Sequence, residues 1–127
     1  MSWKPDGYSS ASPYLIVRDA EATLRFVEEV FAADRLRVHR REEGSGIAHA
    51  EARIDDTVIM MGEMPDAVEA HVHVYVSDAE SAFAKAAAAG GRVVQELTRS
   101  GDGDYRGGIA DGNGVVWWIS TQEEYRD

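Results

Sequence analysis

Cysteine is absent from the 127 residues, so neither disulfides nor thiolate metal sites are available to the fold. Long apolar runs are absent as well. No stretch approaches the ~18 uninterrupted apolar residues of a membrane span. The opening Met1-Ser2-Trp3-Lys4-Pro5-Asp6 lacks the apolar centre of a signal peptide. These absences set the expectation of a soluble, cytoplasmic protein with no membrane partner. Positive charge is in deficit: 13 Lys and Arg stand against 23 Asp and Glu, a net charge of −10. Such a surface repels nucleic acid and anionic membrane and suits a cationic small molecule, besides keeping the protein soluble. Also missing are a nucleophilic serine motif, a phosphate-cradling loop and a dinucleotide fingerprint. Ser100-Gly101-Asp102-Gly103-Asp104 is glycine-rich, but it precedes a strand rather than a helix and reads as a mobile lip.

What the chain does have is a repeat. Val17-Arg18-Asp19-Ala20-Glu21-Ala22 returns as Val76-Ser77-Asp78-Ala79-Glu80-Ser81, 59 residues later. Each copy ends an apolar strand and opens a helix, the signature of a duplicated strand–helix–strands unit with a cleft between its halves. The length suits a single domain spanning 1–127, with module 1 at about 12–63 and module 2 at about 70–121.

In the first module Ser12–Val17 reads as a strand and Asp19 as a helix N-cap. The helix Ala20–Ala32 carries Leu24, Val27 and Phe31 on one stripe. Strands follow at about 35–41, Ala48–Ile54 and Thr57–Met61, the last pair turning at Asp55-Asp56. Glu63–Ala70, containing Pro65, reads as the linker. The second module repeats the order: strand His71–Val76, N-cap Asp78, and helix Ala79–Ala89 stopped by Gly90-Gly91. Its strands lie at about 92–98, 105–110 and 115–120, with a hairpin turn at Asp111-Gly112-Asn113-Gly114. Each half is therefore βαβββ, and residues 1–11 are a polar, turn-rich lead-in.

Alternation across a strand sorts each segment into two faces. In His71–Val76 the valines share one face while His71, His73 and Tyr75 share the other. In His49–Ile54 the small apolar residues lie opposite His49, Glu51 and Arg53, and the first strand puts Tyr14 opposite Leu15 and Val17. The apolar faces belong under the helices. The other faces carry imidazoles, a carboxylate, an arginine and phenols, a lining suited to a small, partly polar molecule.

Several phrases, in this order and spacing, resemble the vicinal oxygen chelate (glyoxalase/bleomycin-resistance/dioxygenase) superfamily and most of all its PhnB-like branch. They are Lys4-Pro5-Asp6-Gly7-Tyr8, Pro13-Tyr14-Leu15-Ile16-Val17, His49-Ala50-Glu51 and Val116-Trp117-Trp118-Ile119. The resemblance covers nearly the whole chain and implies an α+β fold: two βαβββ modules forming a curved, cup-shaped mixed sheet with helices on the outer face. It also implies a divalent metal at the cup floor, bound by side chains on the first and last strands of each module. Carried over position by position, those ligands fall on Ser12, Met60, His71 and Trp118, of which His71 alone is a metal ligand by type. Val115 stands where the branch usually has a histidine. No metal is therefore expected at the usual positions, and a divalent metal would need the alternative set His49, Glu51, His71 and His73.

Two function classes follow. The first is a binding protein that holds a small organic molecule, cationic or aromatic, in the cup without a cofactor. Its lining residues would be Tyr14, His49, Glu51, Arg53, His71, His73, Tyr75, Arg106 and Trp118. The second is an enzyme: a metal-dependent lyase, isomerase or dioxygenase with a shifted His/Glu site, or a metal-free acid–base catalyst using His49, Glu51 and His73. Glu51 could instead be neutralised by Arg53 or Arg106 and serve only to bind. Relatives of this kind usually assemble as pairs, so a homodimer is expected under either reading.

Overall fold

The computed structural model describes residues 3–123. In chain order these form β1 (Tyr14–Val17), α1 (Ala20–Phe31), β2 (Asp34–Arg40), β3 (Ile47–Ile54), β4 (Thr57–Glu63), β5 (Ala70–Tyr75), α2 (Ala79–Ala88), β6 (Arg92–Arg99), β7 (Asp104–Ala110) and β8 (Val115–Gln122). The expected α+β class and the two βαβββ modules are what the chain builds. Its eight strands divide into two four-stranded mixed sheets, ordered β1-β4-β3-β2 and β5-β8-β7-β6. The sequence repeat is therefore also a repeat of topology. In each sheet the module's first and last strands run parallel and the rest antiparallel.

The repeated Asp does the same work twice. Asp19 and Asp78 sit at φ −140 with ψ of 100 and 91, and each carboxylate accepts from the backbone N–H three residues on. That bond satisfies an otherwise unpaired donor at the helix start. Helix α1 buries Leu24, Phe26, Val27 and Val30, and α2 buries Ala82, Phe83 and Ala86. The alanine-rich α2 comes close to its sheet: a Cβ at Gly107 would lie 2.6 Å from the Phe83 ring.

Strand pairing lines up apolar rows beneath the helices. Leu15, Met61 and Ala50 form one such row across β1, β4 and β3, and Val72, Trp117 and Ile109 form another across β5, β8 and β7. The modules join through their helical layers. Phe26 stacks on Trp117 at 5.7 Å between centroids, and Phe31 lies at 5.5 Å. At one end of the seam Asn113, from the β7–β8 turn, reaches α1. Its Oδ1 accepts from the N–H groups of Arg18 and Asp19, and its Nδ2 donates to the Asp19 carbonyl and Thr23 Oγ1.

Element boundaries shift where polar bonds were not visible in the sequence. Strand β1 starts at Tyr14 rather than Ser12; Pro13 has no N–H to give, although its carbonyl accepts from Met60 N. Strand β4 continues to Glu63, expected in the linker, because that carboxylate accepts from Ile47 N and Ala20 N.

Candidate functional site

The face of each sheet turned away from its helix carries the polar side chains, arranged as two half-sites. In the first module the register places Tyr14, Met60 and Glu51 side by side across β1, β4 and β3. Glu51 is 3% exposed and both its oxygens are engaged. Tyr8 donates to Oε1, and His49 Nε2 lies 2.8 Å from Oε2. On the far side of the imidazole, Tyr14 Oη stands 3.2 Å from Nδ1. The result is a chain of hydrogen bonds, Tyr8–Glu51–His49–Tyr14. Burial acts to raise the Glu51 pKa, but the bonds from Tyr8 and His49 outweigh it and hold the carboxyl below the ordinary glutamate range. The same bond to Glu51 pushes the Tyr8 hydroxyl up. An ionised Glu51 favours the Nε2–H tautomer of His49, leaving Nδ1 to accept from Tyr14.

Tyr8 belongs to the lead-in that sequence reasoning left without a role. The segment folds over this face. Arg53 donates to the Gly7 carbonyl, the Arg37 guanidinium lies 5.3 Å from the Tyr8 ring centroid, and Ser9 Oγ accepts from Val58 N. Lys4-Pro5-Asp6-Gly7-Tyr8 was the one signal available, and it marked a family rather than a contact. Neutralisation of Glu51 by Arg53 or Arg106 does not hold. Among the described residues Glu51 bonds Tyr8 and His49, whereas Arg106 pairs with Asp102 and Asp104.

The Glu51 bonds have a measurable consequence. A carboxyl whose folded pKa is depressed contributes stability that is complete above its unfolded value and is lost as pH falls through the folded one. Glu51→Gln should therefore cost about 1–3 kcal/mol at pH 7, read as a lowered urea midpoint. The gap between the two proteins should close as pH drops below about 4. A gap that stays constant down to pH 3 would mean that Glu51 is not held as a carboxylate.

In the second module the equivalent row is His73, Trp118 and Gly108 across β5, β8 and β7. Tyr14 and His73 lie 59 residues apart and pair with Met60 and Trp118, so the register fixes Met60 as the counterpart of Trp118. Gly108 occupies the place of Glu51 and makes room for the indole. A Cβ there would fall 2.7 Å from Trp118 Cζ3. Trp118 donates from Nε1 to His71 Nδ1 at 3.1 Å, and the two rings stack at 15° with 6.3 Å between centroids. His71 Nε2 also lies 3.2 Å from Glu69.

Beside this platform Tyr75 donates to Asp104 at 2.8 Å, and Arg106 bonds both Asp104 and Asp102. The bond to Asp104 raises the Tyr75 pKa. His73 packs edge-on against Tyr75 at 4.6 Å; burial, and then the nearby Arg106 charge, lower its pKa, so it is neutral at pH 7. Asp102 and Asp104 both lie in the segment read as a lip, and no periodicity connected them to Tyr75. Thus Tyr14, His49, Glu51 and Arg53 gather on one sheet, and His71, His73, Tyr75, Arg106 and Trp118 on the other. Among the described residues no hydrogen bond joins the two groups.

These side chains do not fit a divalent metal. Of the four positions that would hold one, Ser12, Met60 and Trp118 offer no imidazole or carboxylate. His71 turns Nδ1 to an indole N–H. Among the described residues no three His, Asp or Glu side chains converge on a common point, the alternative set of His49, Glu51, His71 and His73 included. Nor is any helix among them long and apolar enough to cross a membrane.

Solved structures share the fold. TioX from Micromonospora sp. ML1 superposes with a TM-score of 0.73 at 22% identity, covering 90% of this chain and 98% of its own. A PhnB protein from Bacillus cereus gives 0.69 at 18%, covering 89% and 99%. A mutant of the fosfomycin resistance protein FosX from Listeria monocytogenes, complexed with Mn(II) and 1S,2S-dihydroxypropylphosphonic acid, gives 0.71 at 16%, covering 87% and 90%. A search of curated proteins found no match to the sequence. The family model of the Glyoxalase/Bleomycin resistance protein/Dioxygenase superfamily matches residues 10–119, and the chain belongs to that superfamily.

Proposed function

We propose that this protein binds a small organic molecule bearing a planar ring and a positive charge, without a metal. The observation that carries the reading is Trp118, standing where a metal-binding carboxylate is expected and given room by Gly108 to lie against the sheet. An indole in that position offers a stacking surface and an attractive face for a cation. The first-module half-site supplies complementary chemistry in the buried carboxylate Glu51 and the hydroxyls of Tyr8 and Tyr14. The net charge of −10 favours the same ligand class by long-range attraction.

The whole chain, 1–127, acts as one unit in this reading, and its ligand cup is completed in a homodimer. Within one chain the seam is built from Phe26, Phe31 and Trp117, with Asn113 bonded across it to α1, while among the described residues no hydrogen bond joins the polar groups of one half-site to those of the other. A second copy would set module 1 of one protomer against module 2 of its partner and give two equivalent sites. Native mass spectrometry of untagged protein tests both parts. The expected result is a dimer without metal that retains an organic adduct or takes up the planar monocation proflavine at one per chain. A dimer carrying one metal per chain, lost on His71→Ala, would overturn the reading in favour of metal-dependent chemistry.

The hydrogen-bond chain Tyr14–His49–Glu51 favours a second reading, metal-free proton transfer. His49 would accept the Tyr14 proton at Nδ1 while ionised Glu51 balances the imidazolium. His49→Gln separates the two: it would abolish turnover of a substrate but weaken the binding of a ligand only in proportion to the surface the ligand no longer touches.

A further inference from the structure

The duplication creates two equivalent corners where the strand–helix junction of one module meets the helix end and hairpin turn of the other. They are not equally filled. The corner at α1, lined by Ala22, Phe26 and Ala89, keeps a cavity of about 230 Å³. The corner at α2, lined by the corresponding Ser81, Lys85 and Val30, opens into a groove of about 870 Å³. Each pair of residues is 59 positions apart, so the two cavities are related by the internal repeat.

The difference comes from the hairpins. Between β7 and β8 four residues, Asp111–Gly114, carry Asn113 into the first corner. There its carboxamide accepts from Arg18 N at 3.1 Å and Asp19 N at 2.9 Å, and donates to the Asp19 carbonyl at 2.6 Å and Thr23 Oγ1 at 2.7 Å. Between β3 and β4 only Asp55 and Asp56 intervene, and among the described residues no side chain of that turn is hydrogen-bonded at the junction opposite. The N–H groups of Ser77 and Asp78, the counterparts of Arg18 and Asp19, have no hydrogen-bond partner among the described residues. Both residues line the large groove. Backbone angles at Asp19 and Asp78 agree to within 9° in ψ and are equal in φ, so the two junctions present their donors alike.

We infer that the groove at the β5–α2 junction is a second small-molecule site, for a neutral carboxamide carried on an apolar or aromatic group. The protein supplies the template. A ligand amide oxygen would take the bonds from Ser77 N and Asp78 N that Asn113 Oδ1 takes in the twin corner. Its NH₂ would donate to the Asp78 carbonyl as Asn113 Nδ2 does to Asp19. Val30, Phe31 and Ile54 give the rest of the ligand an apolar wall. The carboxylates of Glu29, Asp55 and Asp78 outnumber Lys85 around the groove and disfavour a carboxylate in place of the amide. Thr23 is replaced by Ala82, so one of the four template bonds is lost and apolar surface gained. The groove shares Tyr75 with the cup lining, but the groups that would bond the amide, Ser77 N, Asp78 N and the Asp78 carbonyl, are not part of the cup, so the inference stands whether or not the cup binds anything.

Benzamide, with benzoate as its charged analogue, tests the inference on the full-length protein by amide ¹H–¹⁵N NMR. Saturable shifts are expected at Ser77 and Asp78, with a dissociation constant on the order of millimolar for so small a ligand. Arg18 and Asp19, already bonded to Asn113, should stay in place. Benzoate should bind at least about tenfold more weakly. Ser81→Trp, a change at an exposed position lining the groove, should remove the benzamide shifts while leaving the rest of the spectrum folded. The inference is overturned if Ser77 and Asp78 do not respond, if benzoate binds as well as benzamide, or if the response survives in folded Ser81→Trp.

Discussion

Trp117→Ala is expected to cost about 3–5 kcal/mol of folding stability, the range for removing a fully buried large aromatic. The indole is 0% exposed, pairs in register with Val72 and Ile109, and is the surface on which Phe26 and Phe31 of the other module pack. Its Nε1 also donates to Asp111 at 3.0 Å, and that carboxylate in turn accepts from the N–H groups of Asn113 and Val115. Truncation would open a cavity at the seam and loosen the turn that carries Asn113 to α1. With an m-value of about 2 kcal/mol per molar urea, the unfolding midpoint should fall by roughly 1.5–2.5 M. Since whole domains are stable by only about 5–15 kcal/mol, the variant would sit near the edge of folding. A loss below about 1 kcal/mol would show that the two modules are stabilised separately and that the aromatic seam is incidental.

Trp117 also illustrates what could be read from the chain and what could not. Strand alternation says that Trp117 and Trp118 face opposite ways, and the burial of one follows from that alone. It does not say that the buried ring meets a helix of the other module some 90 residues earlier. The repeat was legible as a phrase that recurs, the N-capping Asp residues as a signal beside the start of each helix, and the polar faces as a period of 2 along each strand. Tyr8 on Glu51, 43 residues away, is not a local pattern. Neither is Tyr75 on Asp104, 29 residues away, nor the division of eight strands into two sheets. Alternation assigns a residue to a face, whereas its partner depends on register. For that reason Arg53 and Arg106 were plausible partners for Glu51 by charge, and the structure gives Glu51 a phenol and an imidazole instead.

Register is also what makes Trp118 testable as the centre of the ligand cup. Trp118→Ala should raise the dissociation constant for proflavine at least about 30-fold, the effect of losing a well-packed aromatic anchor. Trp118→Phe, which keeps a stacking ring, should stay within about tenfold. Gly108→Ala provides the sharper comparison, because it leaves the indole in the sequence and removes its seat. The added Cβ would meet Trp118 Cζ3 at 2.7 Å and Val94 Cγ2 at 2.8 Å, and the backbone at Gly108 is not in the left-handed region, so no backbone strain confuses the result. If the flat indole is the binding surface, Gly108→Ala should weaken proflavine nearly as much as Trp118→Ala, with the sedimentation behaviour of the parent protein unchanged. If Trp118 merely fills space, its removal should enlarge the cup and leave affinity unchanged or improved. The first-module half-site would then have to carry recognition, and Tyr14→Phe, which breaks the Tyr14–His49 bond, would become the variant with the larger loss.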